Sequence, residues 1–356
     1  MNFSRDLSRT FTGALGALAL PIATAFLLNA CKSPDRSTRP DPAFTPYIPA
    51  FTTGHISARA PIVLRIAENQ VWRDSSTAAL QELFELEPGA KGTVSFIDHL
   101  TLAFQPSERL AAGTDYAVTF HLGKLIEVPA QLADFHFTVS TFDQGLDVRV
   151  SDLRSLNTTD LTWSQLLLAV YTSDDATGQD LEGCFTARQE NRELAMSWEH
   201  EPNGRFHRLL VDSLRRGDQA SQLFITWKGD RIGCADDSTL TFTVPAIGDL
   251  QLVSTQTFSD GDQKAELIFS DPLSTTQDLA GLAGIANVDK SILAVNGNKL
   301  VIFPQERLRG THQAFVAAGL QNVNGRTLGK EITVDLLFEE LKPAVRMVGS
   351  GSILPS

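Results

Sequence analysis

From about residue 50 to 340 the chain is built of short runs in which apolar and polar residues alternate. Leu100-Thr101-Leu102-Ala103-Phe104, Tyr116-Ala117-Val118-Thr119-Phe120 and Phe135-His136-Phe137-Thr138-Val139 are three of them. Period-two alternation puts one face of an extended segment in a core and the other in solvent, so each run predicts a half-buried strand. Further along, Leu194-Ala195-Met196-Ser197-Trp198 and Phe206-His207-Arg208-Leu209-Leu210-Val211 flank Pro202-Asn203-Gly204. Asn-Gly between two alternating runs predicts a hairpin. Leu223–Trp227 and Leu240–Val244 continue the pattern. Short helices are expected only around Asp180–Gln189 and Gln277–Leu282.

One stretch recurs. Phe104-Gln105-Pro106-Ser107-Glu108-Arg109-Leu110-Ala111-Ala112-Gly113-Thr114 returns as Phe303-Pro304-Gln305-Glu306-Arg307-Leu308-Arg309-Gly310-Thr311, with one register slip near the proline and one residue fewer before the glycine. Each copy lies between two alternating runs. A proline that ends a strand, a leucine that plugs a core and a glycine that opens the next strand are what the corner of a β-sandwich needs. Strands and turn signals at this spacing predict an all-β chain of tandem Ig-like sandwiches. The expected division is a sandwich at 50–143, a different β-rich domain at 144–247, and a repeat of the first at 248–342. Residues 343–356 read as a connector to a further, missing domain.

The N-terminal segment has another character. Arg5 and Arg9 precede an apolar stretch from Ala14 to Leu28, interrupted by Pro21 and too short for a comfortable membrane span. It ends in Leu28-Asn29-Ala30-Cys31, which resembles the lipobox of bacterial lipoproteins. That resemblance implies a signal peptide at 1–31 and a lipid on Cys31, tethering the protein to a membrane without a spanning helix. Lys32 rather than Asp after the cysteine leans, by the same analogy, towards the periplasmic face of the outer membrane. Residues 32–49 are rich in Pro, Ser, Thr and Asp and are expected to be an extended flexible tether that buries nothing.

Composition adds exclusions. The formal net charge is −12 over 356 residues, and Arg5, Arg9 and Asp6 contribute +1 to the first thirty, leaving −13 beyond them. An acidic body with no basic stripe argues against nucleic acid as a partner. Phe outnumbers Tyr and Trp, 21 against 3 and 4, which favours packed interiors over Tyr-rich recognition surfaces. Besides Cys31 the chain has Cys184 and Cys234. An exported compartment permits a disulfide between them, and two buried free thiols are the other reading.

Catalytic patterns are missing. There is no Gly-x-Ser-x-Gly elbow, His-Glu-x-x-His or phosphate loop. Glu199, His200 and His207 form the tightest cluster of metal-ligand types, and across the expected hairpin the two histidines would lie side by side. A third converging ligand is not evident, so they read as surface residues. Asp174-Asp175 and Asp236-Asp237 lack the ligand spacing of a calcium loop and read as solvated turns; Asp271 before Pro272 reads as a turn former. No catalytic residue, metal or cofactor is expected, and the chain reads as a non-enzyme.

Several segments resemble the front part of large bacterial alpha-2-macroglobulin-like lipoproteins of the Bacteroidetes type. They are Tyr47–Ser57, Phe269-Ser270-Asp271-Pro272-Leu273, Gln277–Leu282 and Glu339–Arg346. The resemblance implies that the middle domain is macroglobulin-like. It also implies that the chain is the N-terminal scaffold of a cell-envelope protease inhibitor. Proteases would then be partners through missing downstream domains, and the membrane a partner through Cys31. The family's thioester sequence Cys-x-Glu-Gln is absent, and no bait region can be picked out. The competing expectation is a stand-alone, lipid-anchored Ig-like module that binds a glycan or a protein.

Overall fold

The structure, a computed structural model, describes residues 41–73, 76–288 and 290–340. The signal peptide, Cys31 and the connector at 343–356 lie outside them.

The described chain forms three β-sandwiches, each with its own core. Sandwich one contains β1 (Ala50–Phe51), β2 (Gly54–Ile56), β3 (Ile62–Arg65), β4 (Phe84–Glu87), β5 (Gly92–Phe96), β6 (Thr101–Pro106), β7 (Asp115–Phe120) and β8 (Phe135–Thr141). Its sheets run β1-β3-β6-β5 and β2-β8-β7-β4. All neighbours are antiparallel except β2, which crosses to the second sheet and pairs parallel with β8. Alternation explains the core directly: Leu64, Leu102, Phe104, Val118, Phe120 and Phe135 point inward and are buried. Burying each such side chain contributes about 1.5–3 kcal/mol.

Sandwich two contains β9 (Leu146–Ser155), β10 (Trp163–Thr172), β11 (Phe185–Gln189), β12 (Arg192–Glu193), β13 (Met196–His200), β14 (Phe206–Arg215), β15 (Ser221–Lys228) and β16 (Asp237–Val244). Its sheets run β9-β10-β14-β13 and β12-β11-β15-β16. Sandwich three contains β17 (Leu252–Phe258), β18 (Lys264–Phe269), β19 (Ala283–Ile285), β20 (Ser291–Asn296), β21 (Lys299–Pro304), β22 (Gly310–Val316) and β23 (Ile332–Phe338). Its sheets run β17-β18-β21-β20 and β19-β22-β23.

Aligned on their sheets, the three have one plan: a four-stranded A-B-E-D sheet on a C-F-G sheet, the Greek-key order of Ig-like domains. Sandwich one adds β2 beside strand G, and sandwich two adds β12 beside strand C. The middle segment is therefore a third copy of the topology. Its kinship is invisible in the sequence because its E–F corner lacks the Pro-x-x-x-Leu run.

That run occupies the same corner in sandwiches one and three. Pro106 and Pro304 end β6 and β21, Leu110 and Leu308 plug the cores, and Gly113 before β7 and Gly310 at the first position of β22 take positive φ, 58° and 77°. The two segments superpose without the expected slip. Leu102, Phe104, Pro106 and Leu110 correspond to Leu300, Ile302, Pro304 and Leu308, so Ile302 rather than Phe303 is the inward counterpart of Phe104. Phe303 is half-buried on the opposite face. Adjacent Ile302 and Phe303 leave the face ambiguous in sequence, and a one-residue shift inverts every side chain.

Other expectations are corrected locally. The last residues of the expected tether belong to sandwich one: Asp41 caps a short 3-10 turn, Pro42–Phe44, and Phe44 and Ile48 are buried in its core. The helix expected at Asp180–Gln189 shrinks to Gly178–Glu182, and Phe185–Gln189 is β11. Apolar residues at 185 and 187 alternate with polar ones, a strand pattern that an aromatic residue reinforces. Gln277–Leu282 is a turn: Asp278 accepts from the Ala280 amide at 3.0 Å and Gly281 has a φ of 73°, which ends any helix.

Candidate functional site

Chemistry-bearing side chains gather where one sandwich meets the next. At both joints the downstream partner is a Ser-Asp pair just after strand B, Ser173-Asp174 after β10 and Ser270-Asp271 after β18. The upstream partner is an arginine in the E–F corner, Arg109 or Arg216. The serine amide is anchored alike in both, to the Gly145 carbonyl at 3.1 Å and to the Gln251 carbonyl at 2.8 Å.

At the first joint the Asp174 carboxylate is fully buried. One oxygen accepts from the Ala58 amide at 2.8 Å and pairs with Arg109 at 3.3 Å. The other faces Arg205 at 3.7 Å, within ion-pair range but without a hydrogen bond. The Gln144 side chain exchanges two hydrogen bonds with the Asp174 backbone, at 2.8 and 3.2 Å. Arg109 also donates to the Asp175 carbonyl at 3.0 Å, and Ser57 donates to the Asp175 carboxylate. Burial pushes the Asp174 carboxyl up, but the Ala58 amide and the neighbouring serine hydroxyl outweigh it and hold it below the ordinary range. Burial lowers the Arg109 guanidinium against the pull of Asp174 and Asp175, and it stays charged at neutral pH.

The second joint is closed more tightly. Arg216 and Asp271 are both buried to the last percent. The Arg216 guanidinium donates to the carbonyls of Pro245 at 3.0 Å, Ala246 at 2.8 Å and Ser270 at 3.2 Å, and pairs with one Asp271 oxygen. Asn322 donates to the other oxygen at 2.7 Å. Beside this lock β9 packs against β17 and β18. Asn298 reaches Asp152 at 2.8 Å and the Leu153 carbonyl at 3.0 Å, and Ser254 donates to the Ser151 carbonyl at 2.6 Å. The solvated turn expected at Asp174 is thus a buried anchor, and Asp271, expected as a turn former, is another. Asp236 and Asp237 are exposed as expected, Asp236 just before β16 and Asp237 at its first position.

The histidines form a compact group. The hairpin places His200 opposite His207, their Nδ1 atoms 2.8 Å apart, and Glu182 lies 3.0 Å from the His200 Nε2. His207 is fully buried rather than on the surface, and its Nε2 has no hydrogen-bond partner. Burial, then the adjacent His200, lower its pKa. Glu199 is turned away beside Arg208, 3.7 Å off. Glu182, which the sequence reading missed, arrives from the short helix, but it binds the outer nitrogen of His200 and does not converge with the Nδ1 pair. Among the described residues no three His, Cys, Asp or Glu side chains are grouped to hold a metal ion.

Cys184 and Cys234 are free thiols in the core of sandwich two, not a bridge. Each sulfur has its own partner: Cys184 donates to the Asp180 carbonyl at 3.3 Å, and Cys234 accepts from the Asp236 amide at 3.4 Å. Burial pushes both thiols above their usual pKa, which disfavours the thiolate. Among the described residues no helix is long and apolar enough to cross a membrane.

No family model and no curated protein matches the chain. Solved structures that resemble it include the full ectodomain (Ig1–Ig3) of mouse nectin-like molecule 4, 8% identical, covering 83% of this chain and 99% of that one at a TM-score of 0.25. Another is protocadherin gammaB7 EC3–6, 12% identical over 87% and 77%, TM-score 0.22. A third is L,D-transpeptidase 3 from Mycobacterium tuberculosis with a faropenem-derived adduct, 12% identical over 49% and 77%, TM-score 0.21. At these scores they carry no argument about activity, and the fold class rests on the sheets themselves.

Proposed function

We propose that this chain is a non-catalytic strut, the N-terminal scaffold arm of a lipid-anchored, alpha-2-macroglobulin-like protease inhibitor in the cell envelope. The observation that carries the reading is the pair of buried Arg–Asp joints, which make three sandwiches one load-transmitting unit. A strut that presents a distant capture apparatus needs fixed angles between its domains, because domain interfaces without such locks allow relative motion. Phe269-Ser270-Asp271-Pro272-Leu273, one of the segments that resemble the family, supplies the anchor of the second joint. The likeness therefore falls on residues with a mechanical role.

A direct test compares the polypeptide as the cell makes it with residues 44–356 alone, each incubated with broad-specificity endoproteases. The cellular form is expected to retain the protease on a native gel and residues 44–356 to retain none. A cellular form that ends at Ser356 and retains no protease contradicts the inhibitor reading. A second reading, a tethered binding module, draws on a hollow of about 420 Å³ beside Ile292, Phe303 and Arg307 in sandwich three. Saturable binding of a glycan or protein that Phe303→Ala abolishes would favour it.

A further inference from the structure

The leading end of sandwich one carries three outward apolar side chains. Val71 is 61% exposed, Ile97 64% and Trp72 37%. Their backbones are held firmly. Ile97 tips the β5–β6 turn, where Asp98 accepts from the Leu100 and Thr101 amides, both at 2.8 Å, and pairs with Arg65 at 3.7 Å. Trp72 bridges to Ile126 and packs its ring on Phe96, centroids 5.9 Å apart. The Val71 carbonyl accepts from the Glu127 amide at 2.9 Å. These side chains therefore stay outward on a rigid base rather than folding into the core.

The chain arrives at the same end. The Tyr47 carbonyl accepts from the Ala67 amide at 2.8 Å, and Ala50 pairs with Arg65. Phe44, already in the core, follows Cys31 by thirteen residues, a span of at most about 45 Å when extended. A lipid on Cys31 would keep this end within that distance of a bilayer. A tryptophan flanked by aliphatic residues is the composition that settles at the boundary between headgroups and acyl chains. The charges around it are mixed (Glu68, Arg73, His99 and Glu127), which suits a zwitterionic surface better than an anionic one.

We propose that Val71, Trp72 and Ile97 seat this end on the bilayer that holds the anchor, so that the strut stands at a set angle instead of swinging on its tether. The proposal rests on the reading of Cys31 as lipidated.

The test uses the full lipidated chain in phosphatidylcholine–phosphatidylethanolamine vesicles with brominated acyl chains, which quench tryptophan on contact. Lipidation is first verified by intact mass. Emission from Trp72 is expected to be quenched, while Trp163, Trp198 and Trp227, all in sandwich two, keep theirs. W72F should remove the quenched component. The double variant Val71→Glu with Ile97→Glu retains Trp72, touches no core residue, and should lose most of the quenching with an unchanged circular dichroism spectrum. A lipidated protein whose Trp72 is unquenched, or whose quenching survives the double variant, overturns the seating but leaves the anchor standing. A Cys31 with no added acyl mass overturns both.

Discussion

The two joints use the same pair of residue types to different degrees. Arg216 and Asp271 are sealed from water and each nitrogen of the Arg216 guanidinium has an oxygen partner, whereas Arg109 is 13% exposed beside a buried Asp174 and its own buried Nε has no partner. The second joint also has a lateral seam, β9 on β17 and β18, and among the described residues no strand pair of sandwiches one and two packs as extensively. The lesson concerns desolvation. A buried charge is tolerable only with a partner in place, so loss of Arg216 strands Asp271, while Asp174 without Arg109 would keep the Ala58 amide and Arg205 within ion-pair range.

That difference is sharpest under mutation. Arg216→Ala leaves Asp271 buried without its cation and is expected to cost about 3–5 kcal/mol, read as a large fall in the calorimetric midpoint of sandwiches two and three. Replacing both partners, Arg216→Met with Asp271→Leu, removes the stranded charge but leaves the Pro245, Ala246 and Ser270 carbonyls and the Asn322 amide without partners, so it should recover only part of the loss. Arg109→Ala is expected to cost less, about 1.5–3 kcal/mol, the range for a hydrogen bond to a charged group. If the two arginines prove equal, the contrast between the joints is wrong.

Acidity separates the regions in another way. The Asp174 carboxyl is held below its unfolded value, so its contribution is complete above the ordinary carboxylate range and is lost only as pH falls below it. The first joint should therefore hold through mildly acid conditions. His207 is also lowered, from an ordinary value near 6.5. Its buried neutral form supports folding fully above that value, and stability declines as pH falls below it. Sandwich two should weaken as pH falls below about 6.5, no faster than about 1.4 kcal/mol per pH unit for a single proton. His207→Phe should flatten the slope, measured by urea denaturation at several pH values.

Smaller effects compare sandwiches one and three. Tyr116 accepts from the Ala111 amide at 2.8 Å, a tyrosine corner; sandwich three contains no tyrosine. Tyr116→Phe should cost about 0.5–1.5 kcal/mol in sandwich one alone. Cys184 and Cys234 should react with iodoacetamide only after unfolding, and the native mass should not change under reductant. A native mass that rises by two hydrogens on reduction would show a bridge instead.

Much of the architecture was legible because sandwich physics is local. Alternation marked the strands, Asn203-Gly204 the hairpin, and the shared Pro-x-x-x-Leu corner the kinship of the outer sandwiches. What escaped depends on contacts distant in sequence. Asp174 and Asp271 look like ordinary turn formers until an arginine 65 or 55 positions away is placed beside them. Glu182 reaches His200 only because a helix turns back over the hairpin. Phe44 and Ile48 sit in a proline-rich stretch whose composition suggests a tether, and two apolar residues among prolines are too few to announce a core.

A strut requires rigid joints, and pulsed dipolar spectroscopy measures that rigidity most directly. Spin labels at the exposed positions Glu85→Cys, Glu199→Cys and Glu331→Cys, taken in pairs, report the separation of neighbouring sandwiches. Each pair should give one narrow distance distribution, and Arg216→Ala should broaden the Glu199→Cys/Glu331→Cys pair while leaving the Glu85→Cys/Glu199→Cys pair narrow. Broad distributions in the otherwise native protein would mean that the sandwiches swing freely, and the strut would have to be abandoned.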